Sequence, residues 1–233
     1  MVKIIAHRGL GKGPFENTIY AIREALGLGV DGIEIDVHRS RDGAIVVFHD
    51  FIVDEKTNGT GAVENLSLEE LQKLELNGQL KIPTLQEVVE VVKAYPEVLV
   101  MVEIKPENIE DSVLNVLCEG NIENQIIISS YHTSVLRRIH EEDEKVQTAL
   151  IFKKPMADAL QIASSIGCSS IAPKIHLISQ ELVCESRQVG LTVCPWAVNT
   201  IEDLRRVIDL GLEVIITDEA KNMQQFLHSL SQR

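Results

Sequence analysis

Short apolar segments rich in valine and isoleucine recur along the chain, and an amphipathic segment of helical period follows each of them. Most are almost continuously apolar, which is typical of parallel strands buried on both faces. The predicted strands are residues 2–6, 32–37, 98–104, 125–129, 146–152, 169–172, 191–194 and 213–217. The predicted helices are residues 18–27, 85–94, 109–119, 134–143, 156–166, 180–188, 201–210 and 220–230. This alternation predicts an α/β fold with a mainly parallel sheet.

The number of strand–helix units distinguishes between two parallel α/β architectures. Dividing 233 residues among eight units gives about 29 residues per unit, close to the spacing in a (β/α)8 barrel of about 250 residues. A doubly wound open sheet is the alternative, but no G-x-G-x-x-G segment follows a predicted strand. The sequence therefore predicts a single-domain TIM barrel that occupies residues 1–233.

One connection, residues 51–83, is much longer than the others. Ser67 with Glu70 fits a capping box within it, and Thr84 with Glu87 fits a second one at its end, so each pair predicts a helix start. Long connections in compact domains are usually functional. We therefore expect a small insertion after strand 2, beside the barrel mouth.

The composition narrows the classes of partner and the location. A net charge of −13 argues against nucleic acid or an anionic membrane as partner, because both require a basic field. No apolar run approaches the roughly 18 residues of a membrane-spanning helix, and no signal peptide precedes the first motif. The four cysteines are scattered, and we expect them to be reduced and mostly buried. The sequence predicts a cytoplasmic protein with a small-molecule substrate and no stable membrane insertion.

Carboxylates interrupt two apolar strands near their carboxyl ends, which form the active face of a barrel. Glu34 and Asp36 share a face of the second predicted strand, because residues i and i+2 point the same way, and Glu103 lies in the third. Three converging carboxylates repel each other unless a cation is bound or some are protonated. Oxygen ligands favour a hard ion, so we predict one divalent cation, Mg²⁺ or Ca²⁺. The alternative is that they form separate salt bridges.

Other side chains are predicted at the same mouth. His7 and Arg8 end the first strand, Lys105 shares a face with Glu103, and Trp196, the single tryptophan, follows the seventh strand. Two of them also have a structural alternative, which is a salt bridge below the mouth for Arg8 and a core position for Trp196.

The position of His49 follows from a predicted hairpin. Asp42 and Gly43 are a strong signal for a two-residue turn, after which residues 44–49 return antiparallel to the second strand. With these two residues as the loop, His49 pairs opposite Asp36, and opposed residues share a face. We therefore expect the His49 side chain at the acidic cluster. A three-residue loop would shift the register by one and turn His49 to the other face.

Taken in order, these motifs resemble the glycerophosphodiester phosphodiesterase family over essentially the whole chain. The residues that carry the resemblance are His7-Arg8-Gly9, Glu16-Asn17-Thr18, Glu34-x-Asp36, Arg41-Asp42-Gly43, His49-Asp50, Ile82-Pro83-Thr84-Leu85, Glu103-Ile104-Lys105, Trp196-Ala197-Val198-Asn199 and Thr217-Asp218. The resemblance implies a TIM barrel with an insertion after His49-Asp50, and a glycerophosphodiester substrate. It also implies a metal held by Glu34, Asp36 and Glu103, with catalytic histidines at His7 and His49. One departure is Phe15, an extra residue in the loop above His7.

The chemistry of phosphodiester hydrolysis suggests a role for each remaining residue. Histidines titrate near neutral pH, so we assign His7 as base and His49 as the acid that protonates the leaving alcohol, with the reverse as alternative. Arg8 and Lys105 would add positive charge around the phosphate. Trp196 would form a flat apolar wall for glycerol. The predicted products are sn-glycerol 3-phosphate and an alcohol.

Two other functions are compatible with the sequence. One is a lysophospholipase D-type enzyme of the same superfamily, which the acidic composition disfavours. The other is a non-catalytic barrel that binds phosphate metabolites, in which we would expect a metal ligand or a catalytic histidine to be lost. The sequence does not indicate the head-group preference, the choice between Mg²⁺ and Ca²⁺, or the oligomeric state.

Overall fold

A sheet of parallel strands forms the centre of the computed structural model, which describes residues 2–156 and 158–231. The strands are β1 (Lys3–Ala6), β2 (Gly32–Arg39), β3 (Ile45–Val47), β4 (Leu99–Ile104), β5 (Ile126–Ser130), β6 (Gln147–Phe152), β7 (Ser170–Pro173), β8 (Thr192–Val193) and β9 (Val214–Thr217). All but β3 lie in the order β8-β7-β6-β5-β4-β2-β1-β9, each parallel to its neighbour. β3 pairs antiparallel with β2, outside this path.

Hydrogen bonds between the two ends of this order nearly close the sheet into a barrel. The segment that continues β8 meets β9, where the amide of Ile216 donates to the carbonyl of Pro195 at 3.0 Å and the amide of Val198 donates to the carbonyl of Ile216 at 2.9 Å. The predicted TIM barrel is therefore confirmed.

Helices cover the outside of the barrel, and each predicted helix corresponds to one of them. The helices are α1 (Ile19–Gly27), α2 (Leu68–Lys73), α3 (Leu85–Val92), α4 (Glu110–Gly120), α5 (Thr133–Glu142), α6 (Ala159–Ser165), α7 (Gln180–Gln188), α8 (Ile201–Asp209) and α9 (Ala220–Ser231). The predicted helix 156–166 includes Ala157, which lies outside the described residues. Both predicted capping boxes are present, at the starts of α2 and α3.

Side chains alternate between two cores along the barrel strands. In β2, Ile33, Ile35 and Val37 face outward and join the large core between barrel and helices. The intervening Glu34 and Asp36 lie on the opposite, inner face. Lower in the barrel, the inner core is apolar and contains Ile5, Met101, Ile127, Ala149, Cys194 and Ile216. This alternation places the carboxylates of β2 above an apolar floor.

The described helices have at most 12 residues, and the four cysteines differ in exposure. No helix in the described ranges is both long and apolar enough to cross a membrane. All four cysteines are free, but Cys118 and Cys184 are exposed whereas Cys168 and Cys194 are buried. The expectation that the cysteines are mostly buried is therefore wrong for two of them.

The small insertion predicted after the second barrel strand is present and has its own core. It contains a short 3-10 helix, Val63–Asn65, and α2. Its apolar side chains pack on one face of β3, in a cluster of Val46, Phe48, Val53, Val63, Leu71, Leu76 and Ile82. The insertion is thus attached to the barrel through β3.

The predicted two-residue hairpin is wrong, because the loop between β2 and β3 has three residues. Arg39 pairs with Ile45, and the amide of Ser40 donates to the carbonyl of Ala44 at 2.9 Å. The loop therefore consists of residues 41–43, with Gly43 at φ +95°, as in three-residue loops that end in a left-handed glycine.

The three-residue loop between β2 and β3 also contacts the insertion. The carboxylate of Asp42 accepts hydrogen bonds from the Ser40 hydroxyl at 2.7 Å and from the amide of Leu68, in α2, at 2.9 Å. The shifted register pairs Phe48 with Asp36, whose carbonyl accepts from the Phe48 amide at 3.0 Å. His49 is therefore not the cross-strand neighbour of Asp36, and the predicted register is wrong.

Candidate active site

Three buried carboxylates meet at the mouth of the barrel. Glu34 and Asp36 come from the inner face of β2, and Glu103 comes from the neighbouring strand β4, where it pairs with Asp36. One carboxylate oxygen from each residue lies within 4.8 Å of the others. This all-oxygen donor set matches the preference of a hard divalent cation.

Two cations, the buried Arg8 and the largely buried Lys105, partly balance these charges. The ammonium of Lys105 donates to Glu103 at 2.6 Å and lies 2.7 Å from Asp36. The guanidinium Nε of Arg8 lies 3.3 Å from Asp36, and the Arg8 backbone amide donates to Glu34 at 3.1 Å. Asp36 is therefore the one carboxylate of the three that the side chains of both cations contact.

The pKa values of the carboxylates reflect this uneven balance. Burial alone would raise the pKa of Asp36, but Lys105 and Arg8 hold it well below its usual range. The pKa of Glu34 is raised by burial and then by the charges of Asp36 and Glu103. Burial also raises the pKa of Glu103, to about 7, although Lys105 opposes the shift. The negative charges of Glu34 and Glu103 are thus not fully balanced by the neighbouring cations. A bound divalent cation would balance them, so the donor set fits such an ion.

His7 is held by a carboxylate from the opposite end of the chain. Its Nδ1 lies 2.6 Å from Asp218, which directly follows β9, and its Nε2 lies 3.7 Å from Glu34. Asp218 also accepts from Asn199 at 2.6 Å and from the amide of Lys12 at 3.1 Å. Although burial raises the pKa of Asp218, these bonds and the His7 contact lower it overall. An ionised Asp218 makes Nδ1 the protonated nitrogen and leaves Nε2 free to face the cavity.

His49 reaches the same cavity although its predicted register is wrong. β3 ends at Val47, and the chain bends at residues 49–51. The His49 side chain is 31% exposed, and its Nδ1 lies 2.5 Å from Asp50. Its pKa is lowered, mainly by burial and then by Lys105. The His49 side chain therefore lies at the predicted site, but a bend in the backbone brings it there, and not the predicted strand pairing.

The loop between β1 and α1 orients the acidic cluster from above. The side-chain amide of Asn17 donates to Asp36 at 2.7 Å, and its oxygen accepts from the Asp36 amide at 3.2 Å. Glu16 forms an ion pair with Arg8 at 2.8 Å. The N-cap of α1 is the residue after Asn17, Thr18. Asn17 holds the buried Asp36.

The extra residue in this loop, Phe15, does not displace these contacts. Its side chain is exposed and packs edge-on against Tyr20, with ring centroids 5.5 Å apart. The insertion also reaches this loop, because Lys56 forms an ion pair with Glu16 and lies 3.3 Å from Asp50.

A cavity of about 370 Å³ opens above the acidic cluster. It is lined by seven of the eight predicted site residues, and the eighth, Asp36, is completely buried. Trp196 forms one wall, fixed by a hydrogen bond from its indole nitrogen to the carbonyl of Ala172 at 2.8 Å. Tyr131 lies edge-on to Trp196 at 6.3 Å, with the ammonium of Lys153 5.5 Å from its ring.

The structure also places at this site residues to which the sequence alone had assigned no role. Asp218 and Asp50 orient the histidines, Asn17 orients Asp36, and Tyr131 and Lys153 line the outer wall. Asp218 had a usable signal, because it directly follows a barrel strand as His7 does. Tyr131 and Lys153 carry the same signal, because they directly follow β5 and β6.

Together, the nearly closed parallel barrel and the cluster at its mouth define a TIM-barrel protein with a candidate divalent-cation site on its active face. The sequence profile of the glycerophosphoryl diester phosphodiesterase family matches residues 7–222. The chain belongs to this family and is an enzyme of the phosphoric diester hydrolase class. A relative from Caldanaerobacter subterraneus subsp. tengcongensis, a glycerophosphodiester phosphodiesterase, is 35% identical and covers 94% of this chain and 95% of its own length. A glycerophosphodiester phosphodiesterase from Bacillus altitudinis is 29% identical over the same shares.

Solved structures share the fold at lower sequence identity. A phosphodiesterase from Oleispira antarctica, in complex with the product sn-glycerol-3-phosphate, superimposes with a TM-score of 0.90 at 24% identity, covering 97% of this chain and 96% of that one. The glycerophosphodiester phosphodiesterase of Thermotoga maritima gives a TM-score of 0.84 at 23% identity, covering 97% and 98%. These similarities support the barrel as the common fold.

Proposed function

We propose that this enzyme hydrolyses glycerophosphodiesters to sn-glycerol 3-phosphate and an alcohol, with one divalent cation and two histidines. The observation that carries the proposal is the joint placement of His7 and His49 around the three carboxylates in one cavity. The family, together with the sn-glycerol-3-phosphate product bound by the Oleispira antarctica phosphodiesterase, supports the choice of substrate.

Glu34, Asp36 and Glu103 would hold the cation. Mg²⁺ or Ca²⁺ held there would neutralise charge on the phosphate oxygens and so reduce repulsion of the nucleophile. Arg8 and Lys105 add positive charge beside the same carboxylates. Their side chains are fixed by ion pairs before substrate arrives, so little reorganisation accompanies the reaction.

The two histidines divide the proton transfers. His7 Nε2, left unprotonated by the Nδ1 bond to Asp218, accepts the proton of the attacking water. His49 donates a proton to the oxygen of the leaving alcohol as the P–O bond breaks. The lowered pKa of His49 makes its protonated form a stronger acid but reduces the protonated fraction at neutral pH, so the reverse assignment is the alternative. The aromatic wall of Trp196, 6.5 Å from the His7 ring, provides an apolar surface for the glycerol.

Steady-state assays on a panel of glycerophosphodiesters test the proposal. Release of sn-glycerol 3-phosphate is expected, and hydrolysis that requires a lysophospholipid would indicate the lysophospholipase D alternative. Binding of sn-glycerol 3-phosphate without turnover of any diester would indicate the non-catalytic barrel.

A further inference from the structure

The backbone at His49 lacks the strand pairing that would fix it. β3 pairs with β2 only as far as Val47, and the last ladder bond joins the Phe48 amide to Asp36. Regular alternation beyond this point would turn His49 to the face of Val47, which belongs to the outer core. Since the His49 ring instead lines the cavity, another contact must fix the bend.

His38 makes that contact. It lies on β2 two residues beyond Asp36, on the same face of the strand, and is only 3% exposed. Its Nε2 lies 3.2 Å from the carbonyl oxygen of His49. A carbonyl oxygen can only accept, so Nε2 carries the proton and donates it. The side chain of His38 thus bonds to the residue that follows the last ladder bond.

The same imidazole also contacts the chain beyond His49. The rings of His38 and Phe51 meet edge to face, with centroids 4.9 Å apart. His38 therefore touches the chain on both sides of Asp50, the carboxylate that orients the His49 ring. One buried side chain connects a rigid barrel strand to both flanks of the His49-Asp50 pair.

We propose that His38 is a positioning residue for His49: its hydrogen bond to the His49 carbonyl holds the bend that directs the His49 ring into the cavity. The inference rests on the proposed function of His49 as proton donor. Proton transfer depends on reach and alignment, and a misplacement of about 1 Å can cost roughly 100-fold in rate. Loss of the His38 bond should therefore lower kcat without removing any group that touches substrate.

Two substitutions of His38 separate the effect of the hydrogen bond from the effect of side-chain volume. His38→Gln retains a nitrogen donor at the position of Nε2, whereas His38→Leu removes it and fills similar space. We expect His38→Leu to lower kcat about 10- to 100-fold with KM within about threefold, and His38→Gln to stay within about threefold for both. His176→Leu, a change of an exposed histidine outside the cavity, is the matched control.

A second measurement does not depend on turnover. The His49 Nδ1 proton bonded to Asp50 should give a downfield resonance in proton NMR, assigned by its absence in His49→Ala. We expect this resonance to be lost or shifted in His38→Leu and kept in His38→Gln. Equal losses of kcat in both variants, or wild-type kcat and an unchanged resonance in His38→Leu, would overturn the proposal. If the wild-type enzyme hydrolyses no glycerophosphodiester, the proposed function fails, and the resonance still tests the role of His38.

Discussion

At the scale of single residues, the two proposed catalytic histidines are each oriented by one aspartate. Asp218 holds Nδ1 of His7, and Asp50 holds Nδ1 of His49, so both rings present Nε2 for proton transfer. His7 was predictable because a polar residue directly after a barrel strand lies at the active face. The same rule applies to Asp218, but its pairing with His7 joins residues 211 positions apart and is not visible in the sequence.

The histidine roles predict a large loss of turnover with an intact fold. His7→Ala and His49→Ala should each lower kcat by about 10²–10⁴, the usual effect of removing a general acid or base. The thermal midpoint of unfolding should change little, and His176→Ala serves as control. A variant that retains near wild-type kcat would show that its histidine is structural.

The carboxylate pKa values predict that metal affinity depends on pH. A cation must displace the protons that the raised pKa values of Glu103, about 7, and Glu34 retain in the metal-free protein. Below pH 7 the affinity should therefore fall about tenfold per pH unit for each displaced proton. Calorimetric titrations of Mg²⁺ at pH 6 and pH 8, in buffers of different ionisation enthalpy, measure both effects. Equal affinity at both values, without proton release, would contradict this distribution of charge.

At the scale of elements, the β2–β3 hairpin shows what a local pattern can and cannot predict. Asp42 and Gly43 correctly indicated a tight turn between antiparallel strands. Its length could not be predicted, because Asp42 also accepts a hydrogen bond from Leu68 in the insertion. The observed register of β2 and β3 is therefore found together with a hydrogen bond between two residues that lie 26 positions apart, Asp42 and Leu68. The position of His49, in turn, depends on the bend after β3 rather than on pairing.

The loop between β1 and α1 packs closely against α1, and this makes Gly9 sensitive to substitution. Gly9 has φ +81°, and an added Cβ would lie 2.7 Å from the backbone carbon of Ala21 in α1. Gly29 has φ +75° but open space around its Cβ position, so Gly29→Ala should cost only the roughly 1–2 kcal/mol of left-handed backbone. Gly9→Ala should cost about 1–3 kcal/mol more, because the steric overlap adds to that penalty.

Urea denaturation of both variants tests this difference. The midpoint should fall more for Gly9→Ala, with an unchanged dependence of the free energy on urea concentration. Equal midpoints would mean that the loop relaxes away from α1.

At the scale of the whole molecule, the barrel was predictable because burial on both faces imposes a continuous pattern on every strand. The three carboxylates were predictable for the same reason, since they interrupt that pattern. Arg8 and Lys105 were predicted at the same mouth from their positions on the strands, whereas Lys56, which lies in the insertion, was not. The chain carries a net charge of −13, yet Arg8, Lys105 and Lys56 gather around the mouth through contacts that the fold creates. The balance of charged residues at the mouth therefore differs from that of the whole chain.

Turnover of a glycerophosphodiester before and after removal of divalent cations is the decisive test of the proposed metal-dependent hydrolysis. Glu34, Asp36 and Glu103 supply an all-oxygen cluster with uncompensated charge. We therefore predict that sn-glycerol 3-phosphate production stops after exhaustive chelation with EDTA and returns when Mg²⁺ or Ca²⁺ is added. Glu34→Gln and Glu103→Gln should lower activity and weaken this recovery. Full activity in the chelated, metal-free enzyme would contradict the proposed role of the cluster.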